Sequence, residues 1–599
     1  MRVCVIGAGP SGLACIKQCK DEGMEVQCFE KGIGVGGIWN RTDDNGTQMK
    51  CFDDLTLTIS GKLMAFSDFM LLKERQFYSR EQYQDYLEKY ARHFGLEKHI
   101  TFKTSVKSIV RKEGIWEVTT MSSCGKEATR KFTGVAVCCG PFQTGNTPPK
   151  ELQGFTGEIV HSSLYRNPEQ FRGKRVVVVG LAESGADIVR QISNVTAACV
   201  LSVRTHSFLL PRLYDGYHST DSATSRCHAD VQRTPTYIRY ADWGFLQPLY
   251  SILYAGTAAM ATVLFLFQKR HNKSPLNNLQ QSQFPLKLDI DCPAVKENVQ
   301  AINVWNRKAL KGEGHPAKVI FSKNVSFIPN LVNGKIVERA AITGTKGRMV
   351  SFSDGSPDFE ADYIVRCTGF QVIDPVYGKD IAVKEGNARN LFAHSIHPDY
   401  PTSLAYIGFA RPFTGGIPVI SEMQSRLFAA VHSGRVQLPS DLEARITADK
   451  AYEEKAVCFS PNSKEAVPSQ IQLMDGMAQI VGCLPSKLHL LMHPYLFCKM
   501  MFGEFNQASY RLVGPHSSPD AEDQVYKERI SFMAIPMITI WMHRTLWARK
   551  DWRPVKKGFT LDMYGQSLSQ ARWNLIGLAG FAALVSYGGW TIARSRRLV

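Results

Sequence analysis

Two short stretches carry residue types at spacings that could bind a dinucleotide. The first is Gly7-Ala8-Gly9-Pro10-Ser11-Gly12, directly after the apolar run Val3 to Ile6. In a G-x-G-x-x-G turn the first glycine permits a tight bend and the second lets backbone approach a pyrophosphate. The third lets the following helix pack close to the strand, and the unpaired N–H groups of that helix face the phosphates. A second apolar run, Val26 to Phe29, ends at Glu30, eighteen residues beyond Gly12. A carboxylate there can accept hydrogen bonds from ribose hydroxyls and would repel a ribose 2′-phosphate. That argues against NADP here and leaves FAD or NAD. Gly36-Gly37-Ile38-Trp39 follows, a pliant backbone ahead of a large flat side chain. Gly37, Ile38 and Trp39 suit the approach of a flavin-type ring, and Trp39 suits a core position equally well.

The second stretch is Gly180-Leu181-Ala182-Glu183-Ser184-Gly185-Ala186-Asp187, after the run Val176 to Val179. Ala182 stands where the middle glycine would be, and its methyl group would crowd a pyrophosphate. Ser184 and Gly185 still offer a hydroxyl and N–H groups at a helix start. No acid closes the next apolar run, Ala198 to Val203; Arg204 follows it instead. A guanidinium can bind a 2′-phosphate bidentately, which favours NADPH over NADH.

The elements that must position these turns follow from the alternation of apolar strand, glycine turn, helix and strand, which occurs twice. That pattern predicts an α/β protein with two Rossmann-like, doubly wound parallel sheets. At 599 residues, 44% of them hydrophobic, the chain is long enough for more than one core. Its formal charge of +17 suits polyanionic cofactors and membrane surfaces. No zinc finger or aromatic RNA-binding signature accompanies the basic residues, so nucleic acid is excluded as a partner. The 15 cysteines include no C-x-x-C pair, which argues for a reduced compartment and against a flavin disulfide reductase. No secretory signal precedes the first strand.

Trp573 to Ala593 is 21 residues without a charged side chain or histidine, with Arg572 before it and Arg594, Arg596 and Arg597 after it. This predicts a C-terminal membrane anchor with the catalytic mass on the cytosolic side. Trp243 to Gln268 is also apolar and suits a membrane-dipping helix or a buried one.

The spacing Phe155-x-Gly157-x-x-x-His161-x-x-x-Tyr165 between the two turns resembles the fingerprint of the flavin-containing monooxygenases. Ala136 to Gly140, Cys367-Thr368-Gly369-Phe370, Phe409 through Arg426 and Tyr510 through Pro515 are similar to further segments of the animal-type, dimethylaniline monooxygenase-like enzymes. The resemblance implies FAD on the first unit and NADPH on the second. It also implies a flavin hydroperoxide, made with O₂, that oxygenates nucleophilic nitrogen or sulfur of small molecules. His161 would be structural, and the location would be the endoplasmic reticulum. The family's active-site Asn is missing from Leu57 to Lys62, where Thr58, Ile59 and Ser60 stand; the hydroxyls of Thr58 and Ser60 are the candidates for its role. That loss keeps Baeyer–Villiger oxygenation of ketones open, and with Ala182 it keeps open an NADPH oxidase or a catalytically silent nucleotide-binding membrane protein. The implied domains are 1–170 and 331–440 for FAD, 171–330 for NADPH with a membrane-contacting insert at 243–283, a C-terminal region at 441–570 and the anchor at 571–599. Oligomeric state is left unassigned.

Overall fold

The computed structural model describes residues 1–40, 51–70, 77–213, 219–231, 247–268, 293–310, 321–372, 378–412, 415–456, 469–545, 571 and 574. In chain order the strands that frame the site are β1 Arg2–Ile6, β2 Glu25–Phe29, β3 Ile100–Thr101, β4 Gly134–Val137, β5 Thr144–Gly145 and β6 Glu158–His161. They continue with β7 Arg175–Val179, β8 Ala198–Ser202, β9 Val337–Arg339, β10 Tyr363–Arg366, β11 Phe370–Gln371 and β12 Leu404–Tyr406. The helices used below are α1 Pro10–Asp21, α2 Arg80–His93, α3 Glu183–Ile192, α4 Gln247–Phe267, α5 Ile417–His432 and α6 Leu442–Ala456.

Both predicted parallel sheets form. The first runs β12-β4-β1-β2-β3 and the second β9-β8-β7-β10-β6, with every neighbouring pair parallel. Their central strands, Val3 to Ile6 and Val176 to Val178, are almost fully buried, as continuous apolar runs covered on both faces must be. The antiparallel ribbon β5–β11 joins the segments that leave the two sheets.

By packing, Met1–Arg212 and Leu276–Val481 form one compact unit, which contains both sheets. Leu213–Pro275 and Gly482–Val599 form a second. The apolar segment expected to dip into a membrane or be buried becomes α4 of this second unit. Its Tyr254, Ala258, Ala261 and Phe265, one helical face, are buried in a core with Leu496, Phe497, Met500 and Phe502. Among the described residues no helix is long and apolar enough to cross a membrane. Of the expected anchor, Trp573 to Ala593, only Asn574 is described; the rest of it and the stretch 269–283 lie outside the described residues. No disulfide joins the described cysteines.

Candidate functional site

The two glycine turns are built alike. Gly7 and Gly180 sit at φ +97° and +91°, a region that admits glycine without strain. Each donates its N–H to the last residue of the neighbouring strand, Gly7 to Phe29 O and Gly180 to Ser202 O. Gly12 and Gly185 press their helices onto the turns: a Cβ added there would stand 1.8 Å from Gly7 O and 2.3 Å from Gly180 O. The links after the next strand also match, with Cys138 N bound to Ile6 O and Cys367 N to Val179 O. Helices α1 and α3 begin at Gly9 and Ala182 with no side-chain cap, which leaves their first N–H groups for an anion. Ala182 is extended, at φ −124° and ψ −158°, so replacing the middle glycine costs the turn no backbone strain.

At the ribose position the two units differ. Glu30 follows the last residue of β2, and its carboxylate accepts from Ala8 N at 2.6 Å and Gly32 N at 2.7 Å. In register, Val203 takes that place in the second unit, because Val179 pairs with Ser202 as Ile6 pairs with Phe29. The exposed Arg204 comes next. One unit thus ends in a held carboxylate and the other in a cation with no partner among the described residues. The residues fit a 2′-hydroxyl ribose at the first turn and a 2′-phosphorylated ribose at the second.

The remaining candidate side chains are placed less uniformly. Ser11 contributes only its backbone to the phosphate end, since its hydroxyl is 2.9 Å from Ser421 Oγ on α5. Ser184 is exposed at the start of α3, whereas Ala186 and Asp187 are buried. Asp187 points to Arg212, at 3.6 Å, and so supports the turn from behind. Glu183 accepts from Lys323 N at 2.6 Å; burial pushes its carboxyl up, against the opposing charge of Arg212. A carboxyl so raised is a weaker repellent of a neighbouring phosphate.

Gly36 donates its N–H to Ala8 O at 2.9 Å, which lays Gly36-Gly37 across the first turn. Gly37 is exposed beside Gly9, Ile38 is half-buried, and the half-buried Trp39 meets Tyr83 of α2 edge-on at 4.9 Å between ring centres.

The segment Leu57 to Met64 is brought to this unit by α5, a role the sequence reading did not foresee. A Cβ at Gly416, which caps α5, would stand 3.2 Å from Ile59 Cδ1 and 2.4 Å from Leu63 O. Five residues into the helix, Ser421 reaches Ser11. Beside it the buried Glu422 accepts from Ser67 N at 2.7 Å and from the Ser67 hydroxyl. Gln424 accepts from Gly408 N and donates to Ala393 O. The polar run Ser421, Glu422, Gln424, Ser425 and Arg426, buried inside one helix, was the available signal. Of the two candidate hydroxyls, Ser60 is 2% exposed, whereas Thr58 is half-buried and has no side-chain partner among the described residues.

His161 spends both ring nitrogens on the fold. Nε2 lies 3.1 Å from Gly369 O, which can only accept, and Nδ1 lies 2.9 Å from Ser163 Oγ. A Cβ at Gly145 would strike the ring at 2.7 Å. The histidine therefore packs under the β5–β11 ribbon, and burial pushes its pKa down. Among the described residues no cluster of side chains could hold a metal ion.

The model of the "FMO-like: Flavin-binding monooxygenase-like" family matches residues 1–243 and 307–531. The chain is 33% identical over 552 residues to the 4-hydroxybenzoate brominase (decarboxylating) of Marinomonas mediterranea, which covers 90% of this chain and 94% of that one. It is 29% identical over 528 residues to flavin-containing monooxygenase 5 of Oryctolagus cuniculus, covering 86% and 89%. In fold it is similar to cyclohexanone monooxygenase from Rhodococcus sp. Phi1, solved bound to NADP⁺, with a TM-score of 0.51 at 16% identity over 80% of this chain and 96% of that one. With two matched nucleotide cradles in one unit, the chain belongs to the flavin-binding monooxygenase-like family and is an oxidoreductase of the FAD- and NADPH-using monooxygenase class.

Proposed function

We propose that this enzyme transfers one oxygen atom of O₂ to a soft nucleophile, nitrogen or sulfur of a small molecule, with FAD on the Gly7–Gly12 turn and NADPH on the Gly180–Gly185 turn. Bound FAD, once reduced by NADPH, supplies the oxygen-activating chemistry. The single observation that carries the assignment is the contrast at the strand ends, Glu30 in one unit and Val203-Arg204 in the other.

The residues then divide the work. The N–H groups at the starts of α1 and α3 take the two diphosphates. Glu30 accepts from Ala8 N through Oε2 and from Gly32 N through Oε1, and the second lone pair of each oxygen is left for ribose hydroxyls. Arg204 takes the 2′-phosphate. Thr58 presents a hydroxyl with no partner among the described residues, and the buried Leu57, Ile59, Leu63 and Met64 around it form an apolar wall that keeps water out. No amino-acid nucleophile is required, so no triad or redox cysteine pair is needed.

A second reading is favoured by the 33% identity to a decarboxylating brominase over most of both chains. There the nucleophile is a halide, and the oxidised halogen then attacks a phenolic acid. One assay separates the readings: the FAD-loaded enzyme is given NADPH and O₂ with a tertiary amine, a thioether, a ketone, and bromide plus 4-hydroxybenzoate. We expect N-oxide or S-oxide. Brominated phenol as the sole product would install the second reading, and an ester from the ketone would install Baeyer–Villiger chemistry. NADPH consumption without any product would leave an oxidase.

A further inference from the structure

The carboxyl-terminal row of the second sheet is His161, Arg366, Val179 and Ser202, paired side by side. The equivalent row of the first sheet is Tyr406, Val137, Ile6 and Phe29. Arg366 therefore occupies the position that Val137 fills in the first sheet. Both side chains are buried, Val137 at 1% exposure and Arg366 at 6%. Burying valine is favourable, whereas burying an unpaired guanidinium is strongly unfavourable.

Nothing among the described residues compensates that charge. Arg366 makes one hydrogen bond, from its guanidinium to Asn146 O at 3.0 Å, and its Nε is buried without a partner. No carboxylate pairs with it. Two residues on, Thr368 Oγ1 is also buried without a partner. His161 cannot serve either, since both its nitrogens are engaged.

The position of this charge points to a ligand other than the cofactor diphosphate. Val365 packs with Ala186, Ile188 and Val189 of α3, while Ile364 packs on the opposite face with Phe155 and Val177. Side chains alternate along a strand, so Arg366 lies on the Ile364 face, away from α3. The strand order of this sheet reverses between β7 and β10, the crevice in which such a sheet holds its dinucleotide, so Arg366 ends a strand bordering that crevice, on the face away from α3.

We propose that Arg366, with the Thr368 hydroxyl, forms a binding site for a monovalent anion, a carboxylate or a halide, at the switch point of the second sheet. The inference deepens the function proposed above and rests on it. A carboxylate on the substrate would meet Nε and its neighbouring N–H as a bidentate pair; a halide would sit on the same donors.

The test uses the full chain loaded with FAD, in halide-free buffer, as wild type, R366M and R366K. Bromide, benzoate and neutral benzyl alcohol are titrated separately, read by the visible absorbance of the bound flavin. Saturation by bromide or by benzoate, but not by benzyl alcohol, is expected, and the anion that saturates identifies the source. R366M should weaken that anion at least tenfold, R366K less, with NADP⁺ affinity within twofold of wild type. Without anion, R366M should melt higher than wild type, because an uncompensated buried charge has been removed; an arginine serving only to hold Asn146 would give a lower melting point. The inference is overturned if FAD-loaded wild type shows no saturable anion effect, if benzyl alcohol saturates equally, or if R366M loses NADP⁺ affinity in parallel. Wild-type protein that takes up no FAD would overturn this inference and the proposed function together.

Discussion

Alanine at Gly12 or at Gly185 should dismantle one nucleotide cradle and spare the other. At Gly12 the new Cβ would start 1.8 Å from Gly7 O, at Gly185 2.3 Å from Gly180 O, and real contacts of this kind are essentially never under 3.0 Å. Helix and turn must therefore separate by about 1.2 Å at the first site and about 0.7 Å at the second, a strain that close-packed interiors resist. Overpacking of this kind costs about 1–3 kcal/mol. The separation falls on the N–H groups that would hold the diphosphate, so the loss should show in binding, at roughly tenfold per 1.4 kcal/mol. G12A is expected to bind FAD about 5- to 150-fold more weakly. G185A, with the smaller clash, should keep its flavin and lose NADP⁺ affinity toward the lower end of that range. The assay is flavin content after gel filtration, followed by FAD titration of the stripped protein and NADP⁺ titration of the loaded one. The reasoning is refuted if G12A retains FAD with unchanged affinity, or if G185A sheds FAD while binding NADP⁺ normally.

Replacing Arg204 by Ala should lower kcat/KM for NADPH about tenfold or more, as expected for a lost charge-assisted contact of roughly 1.5–3 kcal/mol, and leave NADH nearly unaffected; equal losses for both would remove Arg204 from the 2′-phosphate. His394 supplies a pH dependence. Burial alone would push its imidazole down, but Glu453 at 2.8 Å, helped by Asp449 and opposed by Arg389, holds it above its ordinary value. A raised folded-state pKa gives stability that is full below the unfolded value of about 6.5 and is lost as pH rises through the folded one. The melting-temperature gap between wild type and H394Q should therefore narrow from pH 6 to pH 8, and a constant gap would mean that the pair does not titrate. Full-length chain expressed in eukaryotic cells should stay with endoplasmic-reticulum membranes through alkaline carbonate washing, whereas chain ending at Arg572 should wash off; equal release of both would remove Trp573 to Ala593 as an anchor.

What could be read from the amino acids alone was whatever local backbone rules specify. Gly7 to Gly12 and Gly180 to Gly185 announce their turns because a left-handed bend and a close helix approach leave few residue choices. The valine-rich runs before them announce buried parallel strands, and Glu30 lies next to its turn because β2 pairs with β1 residue for residue. Ala182 is extended in the fold, so its methyl group costs the turn itself no backbone strain.

Other features depended on residues far apart in the chain, and only the tertiary structure could decide them. Ser11 meets Ser421 and Ser67 meets Glu422 across separations of 410 and 355 residues, so no local pattern could show that α5 carries the Leu57–Met64 segment to the first turn. Arg366 reads in sequence as an ordinary basic residue. Its uncompensated burial, and its equivalence to Val137, exist only once two sheets built on one plan can be laid side by side. Turn geometry is a property of a few consecutive dihedral angles, whereas desolvation and charge pairing belong to whatever the rest of the chain brings alongside.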